Sequence, residues 1–265
     1  MRRIALVLAI VVAGCTSPEA EIEADLSQRI QSGGLSGAAL ADAYIDRGLL
    51  YLGTNKPDGA LVDFNLAIQA APELAEAYVW RGVVMSVKKD KARARQDFDR
   101  ALAIDPDYWF ARGTSGLAMA EAGDDDAALA ELARALELGM PHRGEYFVRE
   151  VRQQRFTQVN RRGQARTTTG MVGLTVAVDN HLVLYRLTRF DILLRRNEKE
   201  SALAESREAV RLAPDSFAAQ WRLVEALVAL DQCEEANRQA EIMGQRTGIH
   251  LVTPSPDECP AMPKL

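Results

Sequence analysis

The chain has 265 residues, 48% of them hydrophobic and 26% charged, with 37 acidic against 32 basic side chains. With only 18 Gly and 10 Pro, that composition supports a folded core and excludes a disordered or collagen-like chain. The acidic balance excludes a general nucleic-acid binder, whose affinity would come from neutralising phosphates.

The N-terminus reads as a targeting segment. Arg2 and Arg3 precede an uninterrupted apolar run, Ile4 to Val12. This run is too short to cross a bilayer, which takes about 20 residues, and matches a secretory signal. Val12-Ala13-Gly14-Cys15 then resembles the lipobox of bacterial lipoproteins, with Val12 where the family most often has Leu. The resemblance implies removal of residues 1–14 and acylation of Cys15. Thr16 after the cysteine implies, by the same likeness, an outer-membrane anchor facing the periplasm. An ordinary signal peptide cut near Ala13 is the alternative. Without Arg2 and Arg3 the balance is 30 basic to 37 acidic residues, a net charge of −7.

Residues 15–34 divide into a short tether and a capping helix. Ile22, Leu26 and Ile30 fall at i, i+4 and i+8, one apolar stripe, and Gly33-Gly34 ends it. Such a helix is expected to cover the open edge of whatever follows.

Residues 35–141 carry one pattern three times at a spacing of 34. Gly48, Gly82 and Gly116 repeat at that interval, as do Ala60, Ala94 and Ala128, and Ala67, Ala101 and Ala135. Phe64 and Phe98 follow the period with Leu132 in the third place; Pro72 and Pro106 close two units, and Pro141 comes one residue late. A period of 34 with small residues in register predicts stacked helical hairpins. Glycine on the first helix permits close approach to the second, and proline stops the second helix.

With Ala41, Ala75 and Trp109 as slot 1, Tyr44 and Tyr78 stand at slot 4, Gly at 8, Ala at 20, Phe at 24, Ala at 27 and Pro at 32. This resembles the tetratricopeptide repeat. The resemblance implies an all-α, right-handed helical-hairpin solenoid that binds proteins and does no chemistry of its own. It also implies a concave groove lined by slots 2, 5, 9, 12 and 13 of each first helix. Those slots hold Ile45, Leu49, Leu52, Val79, Val83, Val87, Phe110 and Leu117, a largely apolar set. Family members that clamp a C-terminal carboxylate use Lys and Asn at slots 5 and 9, where this chain has Ile45, Leu49, Val79 and Val83. A carboxylate clamp is therefore excluded, and an amphipathic helix or extended apolar peptide is the expected partner. The chain's own residues 21–31 or 142–182 are alternative occupants.

Residues 142–182 break the period and are expected to be an irregular, arginine-rich insertion. Arg149, Arg152, Arg155, Arg161 and Arg162 offer a basic docking site for carboxylate or phosphate groups. Residues 144–159 have the makings of a helix, 163–170 of an exposed loop, and 171–178 of a strand or a helix start. Residues 183–246 resume as two degenerate repeats, with Val183 and Phe217 at slot 1; the fourth exchanges sizes, Phe190 at slot 8 against Ser206 at slot 24. Residues 247–265 form a proline-rich tail, in which Cys259 is expected to pair with Cys233 in an oxidising compartment.

No catalytic or metal constellation is present among the motifs sought. His142, His181 and His250 are widely spaced and read as surface histidines, and Asp124-Asp125-Asp126 as helix-capping acids. The expectation is a lipid-anchored periplasmic adaptor in envelope assembly, without enzymatic activity, cofactor, metal or small-molecule substrate. A recruiter of a cell-wall enzyme, or an enzyme with its site in 142–182, are the other readings.

Overall fold

The computed structural model describes residues 18–143, 146–159, 165–248 and 259–260. Helix α1 (Pro18–Gln31) precedes three helical hairpins: α2 (Gly37–Gly53) with α3 (Pro57–Ala70), α4 (Ala75–Val87) with α5 (Lys91–Ile104), and α6 (Trp109–Ala122) with α7 (Asp125–Gly139). After a 3-10 turn at Met140–His142, strands β1 (Tyr146–Val159) and β2 (Ala165–Ala177) form a two-stranded antiparallel hairpin. Two more helical hairpins follow, α8 (Val178–Arg195) with α9 (Lys199–Leu212) and α10 (Phe217–Ala229) with α11 (Cys233–Thr247). Each helix packs on the next in order, and the first helices α2, α4, α6, α8 and α10 also touch one another in sequence. The result is an all-helical solenoid interrupted once.

The turn inside each hairpin has one backbone design. Asn55, Lys89, Gly123, Asn197 and Asp231 all stand at slot 15, and all have a left-handed φ between 56° and 86°. The next amide closes each turn onto the carbonyl five residues back: Lys56 to Tyr51, Asp90 to Met85, Asp124 to Met119, Glu198 to Leu193 and Gln232 to Leu227, at 2.7–3.0 Å. This Schellman closure satisfies carbonyls that the helix end would leave free. Five units therefore repeat in backbone even where the side-chain signature has faded.

The slot 8 glycines face slot 24. A Cβ at Gly48 would lie 2.6 Å from Phe64 Cε1, one at Gly82 2.7 Å from Phe98 Cε1, and one at Gly116 2.8 Å from Leu132 Cγ. The partner is thus the large slot 24 side chain. In the fourth unit Phe190 supplies the ring from the first helix and Ser206 the space, both wholly buried.

An arginine at slot 7 ties three helices together. Arg47 holds Asp63 at 2.7 and 2.8 Å and reaches Ser27 of α1 at 3.0 Å. Arg81 holds Asp97 at 2.6 and 2.9 Å and reaches Asn65 of α3 at 2.9 Å. Arg189 holds Glu205 at 2.7 Å and reaches the Leu129 carbonyl of α7 at 2.8 Å. In each case the acid sits at slot 23 of the same unit, and the third helix is the one before. Helix α1 therefore stands where a preceding second helix would stand, and buries Leu26 beneath it. It caps the array as a half-unit.

The insertion is ordered differently from the sequence expectation. Residues 146–159 form a strand, not a helix, because β-branched and aromatic residues are interspersed with the arginines and no 3.6-residue apolar stripe runs through. The expected loop at 163–170 gives way to β2 from Ala165, and Met171 continues that strand. The register pairs Arg149 with Leu174, Arg152 with Val172 and Arg155 with Thr169, with an irregularity between Glu150 and Arg152. Residues 140–177 take the place of the four-residue link, 71–74 or 213–216, used elsewhere.

Cys233, at the start of α11, is joined to Cys259 by a disulfide with Cα atoms 4.2 Å apart. Asp124 stands at the N-cap of α7 without a side-chain cap hydrogen bond, and Asp125 and Asp126, in the first turn, pair with arginines instead. Arg195 holds Asp125 at 2.8 Å and Arg196 holds Asp126 at 2.7 Å, tying the start of α7 to the end of α8.

Candidate functional site

Each inner first helix, α4, α6 and α8, is enclosed on four sides: by its own second helix, by the preceding second helix, and by the first helices before and after it. What stays open is a narrow stripe. In α4 that stripe is Glu76, Trp80, Val83 and Val87, slots 2, 6, 9 and 13, of which Val87 is 60% exposed. Stepping by four, three and four residues keeps these on one helical face.

This geometry corrects the expected lining. Ile45 and Val79, at slot 5, are wholly buried, because slot 5 points into the seam between neighbouring first helices. Leu49 and Phe110 are also buried, at 6% and 4% exposure. Leu52, Val83 and Leu117 are half-buried and Val87 is exposed, so these four remain available. The seam accounts for the apolar character of slot 5 as core packing. Slot 6 replaces it on the open face, bringing in Trp80, which the family lining rule passed over.

Trp80 is positioned from both sides. Its Nε1–H donates to Glu76 Oε1 at 3.0 Å, and its ring lies 5.2 Å from that of Phe110. Phe110 in turn meets His181 edge-on at 4.9 Å. His181 belongs to an extension by which α8 starts five residues before slot 1, and it also packs on Trp109 and Tyr185. It is no surface histidine, and burial lowers its pKa. Beyond it Leu184, 44% exposed, continues the apolar strip into the fourth unit.

The open face is acidic as well as apolar. Slots 2, 6, 9 and 13 of the first three units hold Asp42, Asp46, Glu76 and Glu121 and no basic residue. Lys89, one turn beyond, donates to Glu121 at 2.6 Å, and that bond lowers the Glu121 pKa. In the last two units Arg222 lies 3.0 Å from Asp191 and 2.7 Å from Glu225. Burial raises the Asp191 pKa, with Arg222 opposing.

Arg149, Arg152 and Arg155 lie on β1. Arg161, Arg162 and Cys15 fall outside the described residues, as do His250 and most of the tail. Among the described residues no helix is long and apolar enough to cross a membrane, and no cluster of His, Cys, Asp and Glu forms a metal site.

A solenoid of paired helices with an open strip of apolar and acidic side chains defines a protein-interaction scaffold. The family model for the tetratricopeptide repeat matches residues 75–108, the second unit of the array with its link to the third. Its fold is similar to that of YrrB, described as a TPR protein with an unusual peptide-binding site, at 16% identity and TM-score 0.53 over 85% of this chain and 93% of that one. PilF of Pseudomonas aeruginosa shares 16% identity at TM-score 0.60, over 79% of this chain and 78% of its own. PilW, a type IV pilus biogenesis factor, shares 13% identity at TM-score 0.59 over 79% of each chain. No curated protein matches the sequence significantly.

Proposed function

We propose that the protein is a lipid-anchored adaptor of the bacterial cell envelope, held at the outer membrane through Cys15 and facing the periplasm. On this reading it captures a segment of a protein partner on the open face of its first helices. The single observation behind the docking role is the strip Trp80, Val83, Val87 and Leu117, continued by Leu184, which stays accessible while slot 5 is packed away. Contiguous apolar side chains kept at a surface mark interaction sites. The fold likeness to PilW, a pilus biogenesis factor, agrees with an envelope setting, and the lipobox-like Val12-Ala13-Gly14-Cys15 supports the anchor.

Val87→Glu places a carboxylate on the exposed strip, and Val83→Glu places one at its half-buried edge against the core. Partner capture from solubilised membranes should fall at least tenfold in both, with the melting temperature of Val87→Glu moving by less than about 2 °C, as for a surface substitution. Leu49→Glu should behave differently, since Leu49 is buried: stability falls along with binding. Capture that survives both valine changes would refute the docking face. Separately, Cys15→Ser should move the protein from the membrane fraction to the soluble one. Sedimentation with membranes that persists in that variant, in a wild type that takes up no labelled fatty acid, would refute the anchor.

A further inference from the structure

The insertion leaves the array between α7 and α8 and yet comes back to its opposite end. Strand β2 touches α8, where the insertion rejoins the solenoid, and β1 touches α1, the N-terminal cap. Three first helices, α6, α4 and α2, separate those two points. At helix spacings of about 8–10 Å the run from α8 to α2 is about 24–30 Å. A strand of 14 residues at about 3.3 Å each spans roughly 46 Å, enough to cover that distance and meet α1. A hairpin of that length, rooted at α8 and meeting α1, has the reach to run along the first three units.

Charge selects the face on which it lies. The hairpin brings Arg149, Arg152, Arg155 and Arg166, with one acid on its strands, Glu150. The open stripe of the first three units carries Asp42, Asp46, Glu76 and Glu121. Helix α1, where β1 arrives, adds Glu19, Glu21, Glu23 and Asp25. The opposite side of the array carries both signs, with exposed Lys91, Arg93, Arg95 and Arg100 on α5. An arginine-rich ribbon is repelled by α5 and attracted by the first helices.

We infer that the β-hairpin of residues 146–177 is the built-in occupant of the acidic open face of α2, α4 and α6. It lies over the acids beside the docking strip while Val87 stays exposed, and a partner engaging the whole face must displace it. The chemistry of that partner follows: a segment with arginine or lysine set among apolar residues, as in the hairpin itself. The inference rests on the same face as the adaptor reading but concerns what covers it in the isolated chain.

The test uses the full chain with Asp42→Lys, Asp46→Lys and Glu76→Lys combined, and helicity by circular dichroism verifies folding. Trypsin cleavage after Arg149, Arg152 and Arg155 is timed by mass spectrometry. Pairing of β1 with β2 is common to both chains, so a rate difference reports the seat on the helices. Cleavage should be at least tenfold faster in the triple variant. High salt should accelerate it in the wild type and not in the variant, since screening weakens only the attractive case. If the triple variant loses helicity, the salt dependence of the wild type alone decides, and its absence overturns the inference. Equal cleavage rates in the two folded chains also overturn it. Equal rates together with loss of capture in Val83→Glu would remove the hairpin from the strip and leave the docking face standing.

Discussion

Gly113→Ala is expected to cost about 3 kcal/mol or more, at or above the upper end of the usual overpacking penalty. A Cβ at Gly113 would fall within the Tyr185 ring, against Cζ, Oη and Cε2. Tyr185 has no room to yield. It is wholly buried, and the rings of Trp109 and His181 lie 6.3 Å from its own. Its hydroxyl has no hydrogen-bond partner among the described residues, and burial raises its pKa strongly. Tyr185→Leu should therefore recover much of the loss in the Gly113→Ala background, a coupling that a double-mutant cycle in urea reads directly. A single-variant loss below about 1 kcal/mol would show that the third and fourth units are not locked at this contact.

Asp97→Ala is expected to cost about 2–3 kcal/mol, somewhat under the 3–5 typical of a broken buried ion pair. The discount reflects Arg81, whose side chain keeps 25% exposure while that of Asp97 has 7%. Removing the carboxylate strands a guanidinium that ties α4 to both α5 and α3. Asp99→Ala, two residues on, serves as the control: Asp99 meets Arg95 at 3.9 Å in the open, and an exposed pair of that kind contributes about 0.5 kcal/mol or less. Equal urea midpoints for the two variants would refute the clamp.

Most of the architecture could be read from residue spacing, because a solenoid repeats its packing problem and so its small residues. The 34-residue period located the units, and Ile22, Leu26 and Ile30 located the cap. The clamp carries the same period, since Arg47 and Arg81 stand 34 apart, as do Asp63 and Asp97. Charged pairs at helix surfaces are usually weak, so a periodic pair draws little notice until burial is known. The docking strip lies one position from the sequence expectation, since slot 5 and slot 6 differ only in whether a neighbouring first helix covers them. That is a property of the stack, absent from any single repeat. The insertion resisted reading for another reason. Its strands are stabilised by cross-strand pairing, and the bulge between Glu150 and Arg152 interrupts the alternation that would have announced β1.

The long connection between α7 and α8 also bears on how the molecule comes apart. Arrays of this kind normally lose structure from their ends, where a unit has one neighbour instead of two. Here one terminus is closed by α1 and the other by the Cys233–Cys259 bond. The weakest coupling then moves inward, to the boundary where 38 residues join what four join elsewhere. By loop-closure entropy alone that difference, about three doublings in length, is worth roughly 2 kcal/mol. The first three units and the last two should behave as separate cooperative blocks, joined by the apolar cluster of Trp109, Leu136, Leu182 and Tyr185, by Arg189 on the Leu129 carbonyl and by Arg195 and Arg196 on Asp125 and Asp126. Amide exchange would then show two plateaus of protection, with the step between them at α8 and neither terminus the first to open.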